Sequence, residues 1–205
     1  MSTENQSVCA VVVAAGSSRR MGGENKLLLP LCGKPVLAHT LTAFQMCGAV
    51  RDIVLVCREQ DMEVYRTLAA ENGITKLRTL TRGGDTRTES VLAGVSAASE
   101  ACALVAVHDG ARPLVSDEVI TQAVAEAGKA GAAAPVVPVK DSIKRIENGK
   151  IAADVPRDTL AAVQTPQVFR RDMLLHALLD AAANGRSLTD DCAAEAARCQ
   201  TGYAT

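Results

Sequence analysis

Val8-Cys9-Ala10-Val11-Val12-Val13-Ala14-Ala15-Gly16-Ser17-Ser18-Arg19-Arg20-Met21-Gly22-Gly23-Glu24-Asn25-Lys26 is the stretch from which the fold is read. Residues 8–14 are small or β-branched, with no polar alternation. That pattern predicts a strand buried on both faces, as in a parallel sheet. The strand runs directly into small residues and glycine, where backbone can approach a ligand closely. Two arginines and a lysine then add the charge that a polyphosphate would need. The spacing is neither G-x-G-x-x-G nor G-x-x-x-x-G-K-[ST], so neither a dinucleotide fingerprint nor a P-loop is present. The residues alone leave two readings open: a phosphate- or base-binding loop, or a flexible glycine loop with solvated cations.

Outward from this stretch, apolar runs alternate with helical patterns. Residues 35–47 read as a helix with proline at its start, and 53–57 as a second strand. A helix at 60–71 ends on Asn72-Gly73, a strand follows at 77–80, and 89–98 is helical. Residues 103–107 form a fourth strand, and 117–129 a helix ended near Gly131. This order predicts an α/β fold: a Rossmann-like, mostly parallel sheet flanked by helices, in one domain over 1–205. Such sheets bind ligands beyond the carboxyl ends of their strands, which singles out the loops after residues 14, 80 and 107. After Pro135 the pattern changes. Residues 136–158 are polar and extended, with Asn148-Gly149 as a hairpin turn, and read as a protruding β-arm. Ile143, Ile146, Ile151 and Val155 have no place in the parallel sheet. Pairing with a second subunit would cover them, so a homodimer is expected. Residues 170–183 and 190–198 read as further helices.

Composition narrows the class. The 205 residues are 48% apolar and 22% charged, with a formal net charge of -1. That is a globular composition without the basic footprint of a nucleic-acid binder, and neither nucleic acid nor a membrane is expected as a partner. No apolar run approaches the roughly 20 residues of a bilayer span. Residues 1–7 are polar and 8–15 lack the basic flank of a secretory signal, so the expected location is cytoplasmic. Seven cysteines are scattered without a C-x-x-C pair, which fits neither a disulfide framework nor a zinc site. Cys192 and Cys199 share a helix face, but no histidine lies near to complete a metal set.

A second informative segment, Val107-His108-Asp109-Gly110-Ala111-Arg112-Pro113, follows the fourth strand at the same sheet edge. An aspartate there suits a magnesium ion held against triphosphate oxygens, and Arg112 a second phosphate. Alone, the segment also fits a simple Asp-Gly turn. His108 reads as packed and hydrogen-bonded rather than as a base. Residues 82–88 read as an ordinary polar turn, Lys144 and Arg145 as the solvated face of the arm, and Thr189-Asp190 as a helix N-cap.

Taken together, AAGSSRRMGGENK (14–26), GGDTRTESVLAG (83–94), VHDGARP (107–113), PVKDSIKR (138–145), QTPQVF (164–169) and LTDD (188–191) resemble the successive motifs of the 2-C-methyl-D-erythritol 4-phosphate cytidylyltransferases. The resemblance covers essentially the whole chain. It implies a fold of the nucleotide-diphospho-sugar transferase type. It also implies transfer of CMP from CTP to a polyol phosphate in non-mevalonate isoprenoid biosynthesis, with Mg2+. On matching positions, Ala14, Ala15 and Gly16 would contact CTP through backbone. Arg20 and Lys26 would hold the triphosphate and act on the α-phosphate. Gly84, Asp85 and Ser90 would recognise cytosine and ribose, and Gly110 the ribose. Asp109 would bind the metal. Arg112, Ser142, Arg157, Thr165 and Thr189 would face the polyol phosphate, with Arg157 serving the neighbouring subunit. Serine stands at 142 where the family more often has threonine. The family also continues with a strand, a helix and a lysine in an Asn-Ile-Lys-Val-Thr-like stretch, whereas this sequence stops at Thr205. Either a fragment or a shortened, impaired form is expected. Three alternatives accompany this reading: a ribitol-5-phosphate cytidylyltransferase, a sugar-phosphate nucleotidyltransferase using another nucleotide, and a catalytically silent nucleotide-binding protein.

Overall fold

The computed structural model describes residues 7–16, 25–184 and 191–192, and the backbone of 200–203. In chain order, β1 (Val8–Val13) is followed by a short ribbon, β2 (Pro30–Leu31) and β3 (Lys34–Pro35), and by α1 (Val36–Met46). Then come β4 (Val50–Cys57), α2 (Met62–Glu71), β5 (Leu77–Arg82), α3 (Arg87–Ala97), β6 (Leu104–Asp109) and α4 (Asp117–Ala130). The second half holds β7 (Ala132–Pro138), β8 (Ile143–Glu147), β9 (Lys150–Val155), β10 (Ala161–Val163), β11 (Gln167–Arg170), α5 (Arg171–Ala183) and β12 (Gln200–Tyr203). None of the described helices is long and apolar enough to cross a membrane.

The alternating half forms as the pattern predicts. β1 lies at the centre, parallel to β4 on one side and β6 on the other, with Val11 opposite both Val54 and Val107. β5 extends the sheet beyond β4, again parallel. Successive side chains of β1 serve opposite faces. Ala10 and Val12 pack with Leu37, Leu41 and Phe44 of α1 and Tyr65 of α2. Cys9 and Val11 pack with Val91 and Val95 of α3 and Leu174 and Leu178 of α5. Both faces are therefore dry, which is why β1 carries no polar residue. α3 lies directly on the strands: a methyl at Gly94 would stand 2.4 Å from Val11 Cγ1 and 2.7 Å from Val56 Cγ2.

Local chemistry sets the helix ends. Thr86 caps α3 by accepting from the Glu89 N–H, and Glu89 Oε2 accepts in return from the Thr86 N–H at 3.0 Å. Ser116 caps α4, which ends on Gly131 in the left-handed region at φ 92°.

The other half departs from the sequence reading. Residues 132–138 form a main-sheet strand with Val136 buried, so the arm begins after Pro138 rather than at 136. Pro135 obscured this, because proline argues against a central strand. Residues 161–170 run antiparallel beside β7: Ala161 lies opposite Pro138 and Val168 opposite Ala133. This run breaks at the cis peptide Thr165–Pro166, after which β11 also pairs antiparallel with β6. β12 runs parallel to β7. The hairpin at Asn148-Gly149 forms as expected, with φ 52° and 75°. β8 and β9 make a separate two-stranded sheet, in which Ile146 and Ile151 face each other while exposed. Most of the helix expected over 190–198 lies outside the described residues.

Candidate nucleotide-binding site

A cleft of about 950 Å³ opens at the carboxyl ends of β1, β5 and β6, where the three singled-out loops meet. Each loop leaves the sheet by a fixed backbone hydrogen bond. Ala14 N–H donates to Val56 O at 2.7 Å, Gly83 N–H to Cys57 O at 2.9 Å, and Gly110 N–H to Val13 O at 2.9 Å. Gly110 O in turn accepts from the buried Thr40 hydroxyl at 2.8 Å. Both backbone groups of Gly110 are thus engaged within the protein, and what it offers a ligand is the absence of a side chain. Gly83 is more constrained still, because a methyl there would lie 2.5 Å from Ala15 Cβ and 2.7 Å from Ser90 Oγ.

Ten of the expected site residues line this cleft: Ala14, Ala15, Gly16, Lys26, Gly84, Asp85, Ser90, Asp109, Gly110 and Arg112. Lys26 follows Asn25, whose side chain accepts from the Leu27 N–H at 3.2 Å and donates to the buried Tyr65 hydroxyl at 2.9 Å. Ser90 is buried and donates its proton to Thr86 O at 2.9 Å, which leaves its oxygen as an acceptor. Asp109 is about a third exposed, at 34%. Arg112 Nε donates to Asp109 Oδ2 at 3.0 Å, and Arg112 Nη1 to Gln164 Oε1 at 2.5 Å.

The remaining expected residues lie elsewhere. Arg20 and Thr189 fall outside the described residues. Ser142, at the base of the arm, and Arg157, whose Nη1 donates to Lys140 O at 2.7 Å, are exposed and do not line the cleft. Thr165 is buried, and its hydroxyl bonds to His108 Nδ1 at 2.9 Å. His108 is packed and hydrogen-bonded, as read: its ring is fully buried, edge-on to Phe44, with Nε2 3.1 Å from Arg112 O. Burial lowers its pKa to about 4, so it is neutral at physiological pH. Burial also pushes the Cys9 thiol up to about 12 and Cys57 to about 11, which makes them core residues rather than nucleophiles. Lys144 pairs with Asp154 across the arm, and Arg145 with Glu147 at 3.1 Å.

Sequence reasoning missed three contributors. Arg87 lines the cleft and pairs with Asp191 and Asp109. Glu89 seals the Gly83–Thr86 turn, taking the Asp85 N–H at 2.7 Å as well as that of Thr86. Gln167 Oε1 accepts from the backbone N–H groups of Asp191 and Cys192 at 3.0 Å. The Thr86-x-x-Glu89 spacing was a readable signal for the second; the other two are long-range contacts.

For a divalent cation, the donor set matters. Among the described residues no three His, Cys, Asp or Glu side chains gather into a cage. Magnesium needs none: it is usually held by one or two carboxylates plus substrate phosphates. The half-buried Asp109, which lines the cleft together with Lys26 and the glycine-rich loop and is paired with Arg87 and Arg112, is a single carboxylate of that kind.

A mostly parallel sheet with a glycine-rich, cationic cleft at its carboxyl edge and one metal-capable carboxylate defines a nucleotidyltransferase of the α/β type. The family model described as 2-C-methyl-D-erythritol 4-phosphate cytidylyltransferase matches residues 8–202, and the chain belongs to that family. Relatives of that name include one from Dehalococcoides mccartyi, 43% identical over 83% of this chain and 75% of its own length. Another, from Bacillus licheniformis, is 43% identical over 88% and 78%. The structure resembles 4-diphosphocytidyl-2C-methyl-D-erythritol synthase from Anaerococcus prevotii, with a TM-score of 0.86 and 25% identity over 98% of this chain and 88% of that one. It also resembles the 2-C-methyl-D-erythritol 4-phosphate cytidylyltransferase of Thermus thermophilus, with a TM-score of 0.72 and 29% identity over 95% and 86%.

Proposed function

We propose that this chain transfers CMP from CTP to 2-C-methyl-D-erythritol 4-phosphate, giving 4-diphosphocytidyl-2-C-methyl-D-erythritol and pyrophosphate in non-mevalonate isoprenoid biosynthesis. The observation that carries the reading is the cleft itself. Three glycine-bearing loops, Lys26 and Asp109 converge on it, and the nearby His108 has both ring nitrogens engaged. A phosphate oxygen of the polyol attacks the α-phosphorus of CTP, and the bond from that phosphorus to the β-phosphate bridging oxygen breaks. The second pKa of a phosphate monoester is about 6, so the nucleophile is already anionic and needs no base. The work left to the protein is positioning and charge stabilisation. Lys26 and Arg20 neutralise charge growing on the α-phosphate. The glycine backbone and Ser90 hold the base and ribose. Asp109 holds magnesium, which when bound neutralises the triphosphate and favours pyrophosphate as leaving group.

Arg112, Ser142, Arg157 and Thr189 serve the polyol phosphate in this reading. Thr165 acts through His108, which fixes the Arg112 carbonyl. The arm supports a two-fold dimer, because Ile146 and Ile151 otherwise stand exposed on a lone hairpin. A cytoplasmic location belongs to the same reading. The test is pyrophosphate release from CTP with 2-C-methyl-D-erythritol 4-phosphate or ribitol 5-phosphate as acceptor. Release with the first, reduced about 10²–10³-fold in Lys26→Ala or Arg20→Ala with CTP binding little changed, is expected. CTP binding with no release for either acceptor would overturn the proposal.

A further inference from the structure

Arg87 sits in the first turn of α3, where the aligned peptide dipoles disfavour a cation. Two carboxylates offset that cost. Asp191 accepts from Nη1 and Nη2 of Arg87, each at 2.9 Å, and its side chain is 2% exposed. On the other side, Arg87 Nη2 stands 3.5 Å from Asp109 Oδ1. Asp191 is itself fixed, because Gln167 holds its N–H and that of Cys192. Gln167 begins β11 opposite Val107 of β6, the strand that ends at Asp109. The anchor and the cleft carboxylate therefore stand on neighbouring strands of one sheet. The guanidinium has five N–H donors on two edges; Asp191 takes the Nη1/Nη2 edge, and with that edge held only Nη2 stands near Asp109.

We propose that Asp191 is a positioning residue for the metal-binding carboxylate: by engaging both Nη groups of Arg87 it keeps that arginine from clamping Asp109. Arg112 Nε holds Asp109 Oδ2 at 3.0 Å, and Asp109 Oδ1, with Arg87 kept 3.5 Å away, is the oxygen left to a divalent cation. The proposal rests on the reading of Asp109 as a magnesium ligand. Without Asp191, Arg87 swings onto Asp109 in a two-pronged pair and competes with the cation. The effect is one of partner exchange, so removing the competitor should cure it.

Mn2+ titration of the full chain with CTP, followed by the electron paramagnetic resonance signal of free Mn2+, tests this without reference to turnover. In Asp191→Asn the Mn2+ half-saturation should rise about 10-fold or more, the loss usual when an outer partner of a metal ligand is removed. CTP affinity in EDTA should hold. In the double variant Arg87→Ala/Asp191→Asn the half-saturation should return toward that of the unaltered protein, a recovery that a merely structural role would not produce. If Asp191→Asn does not fold, Gln167→Met, which loosens the anchor and leaves its charge, should give a smaller rise in the same direction. An unaltered Mn2+ curve in folded Asp191→Asn, or a loss that the double variant does not recover, overturns the clamp. Asp109→Asn separates the two readings. If Mn2+ binding is unaltered there, the metal role of Asp109 fails and the proposal with it. If binding is weakened there but not in Asp191→Asn, the clamp alone fails.

Discussion

Replacing His108 with glutamine should flatten the acid side of the stability curve. A carbonyl can only accept, so the contact to Arg112 O places the single ring proton on Nε2. Bare Nδ1 then accepts from the Thr165 hydroxyl at 2.9 Å. A second proton would have to enter at Nδ1, against that hydroxyl and inside a dry core. Burial is the main cause of the depressed pKa, from 6.5 to about 4; the hydrogen bond to the Arg112 backbone and the Asp109 charge oppose it, and the Arg112 charge adds to it. The unfolded histidine keeps its ordinary value, so between those two pH values the unfolded chain binds the extra proton. This contribution to stability is complete above about pH 6.5 and is lost as pH falls toward 4. At about 1.36 kcal/mol per pH unit the interval is worth about 3 kcal/mol. For a chain of this length each kcal/mol corresponds to roughly 2–4 °C in Tm. Urea unfolding in EDTA at fixed ionic strength, at several pH values from 7 to 4.5, measures it. His108→Gln should be less stable at pH 7, with the gap narrowing as pH falls. Stability curves that stay parallel throughout would refute the assignment of a buried neutral ring.

Gly94→Ala should lower stability by about 1–3 kcal/mol in thermal unfolding, because its methyl overlaps Val11 and Val56 beneath α3; an unchanged Tm would contradict the close approach. Gly83→Ala pushes the first and second cleft loops apart through Ala15 and Ser90. Calorimetry should then show CTP affinity reduced about 10-fold or more, since overpacking of 1–3 kcal/mol falls on the site itself. Mixing Arg157→Ala with Arg20→Ala should restore part of the lost turnover through hybrid dimers. A monomeric mass at micromolar concentration with no rescue would argue against the shared site.

Legibility followed the range of the interactions. β1 was readable because a strand covered on both faces must be apolar at every position, a demand written into consecutive residues. The Asn148-Gly149 turn was readable because positive φ at two successive residues selects those types. His108 could be assigned to packing because a lone histidine at a strand end is more often packed and hydrogen-bonded than catalytic. β7 was not readable: its Ala132-Ala133-Ala134-Pro135 start lacks β-branching and contains a proline, and the strand exists because residues 161–170 and 200–203 pair along its two sides.

The same division runs through the cleft. Its position came from the sequence alone, since parallel strands place their loops at the carboxyl edge and the glycines and cations mark which loops matter. Its electrostatics did not. Arg87 and Asp191 are separated by 104 positions and Thr165 and His108 by 57, and nothing local in either pair announces the partner. The strand and helix periods, the turns and the caps were legible before folding, because each depends on residues a few positions apart. Which charge faces which and which hydroxyl is already engaged emerge in the folded chain, because those contacts exist only once sheet register brings distant strands side by side.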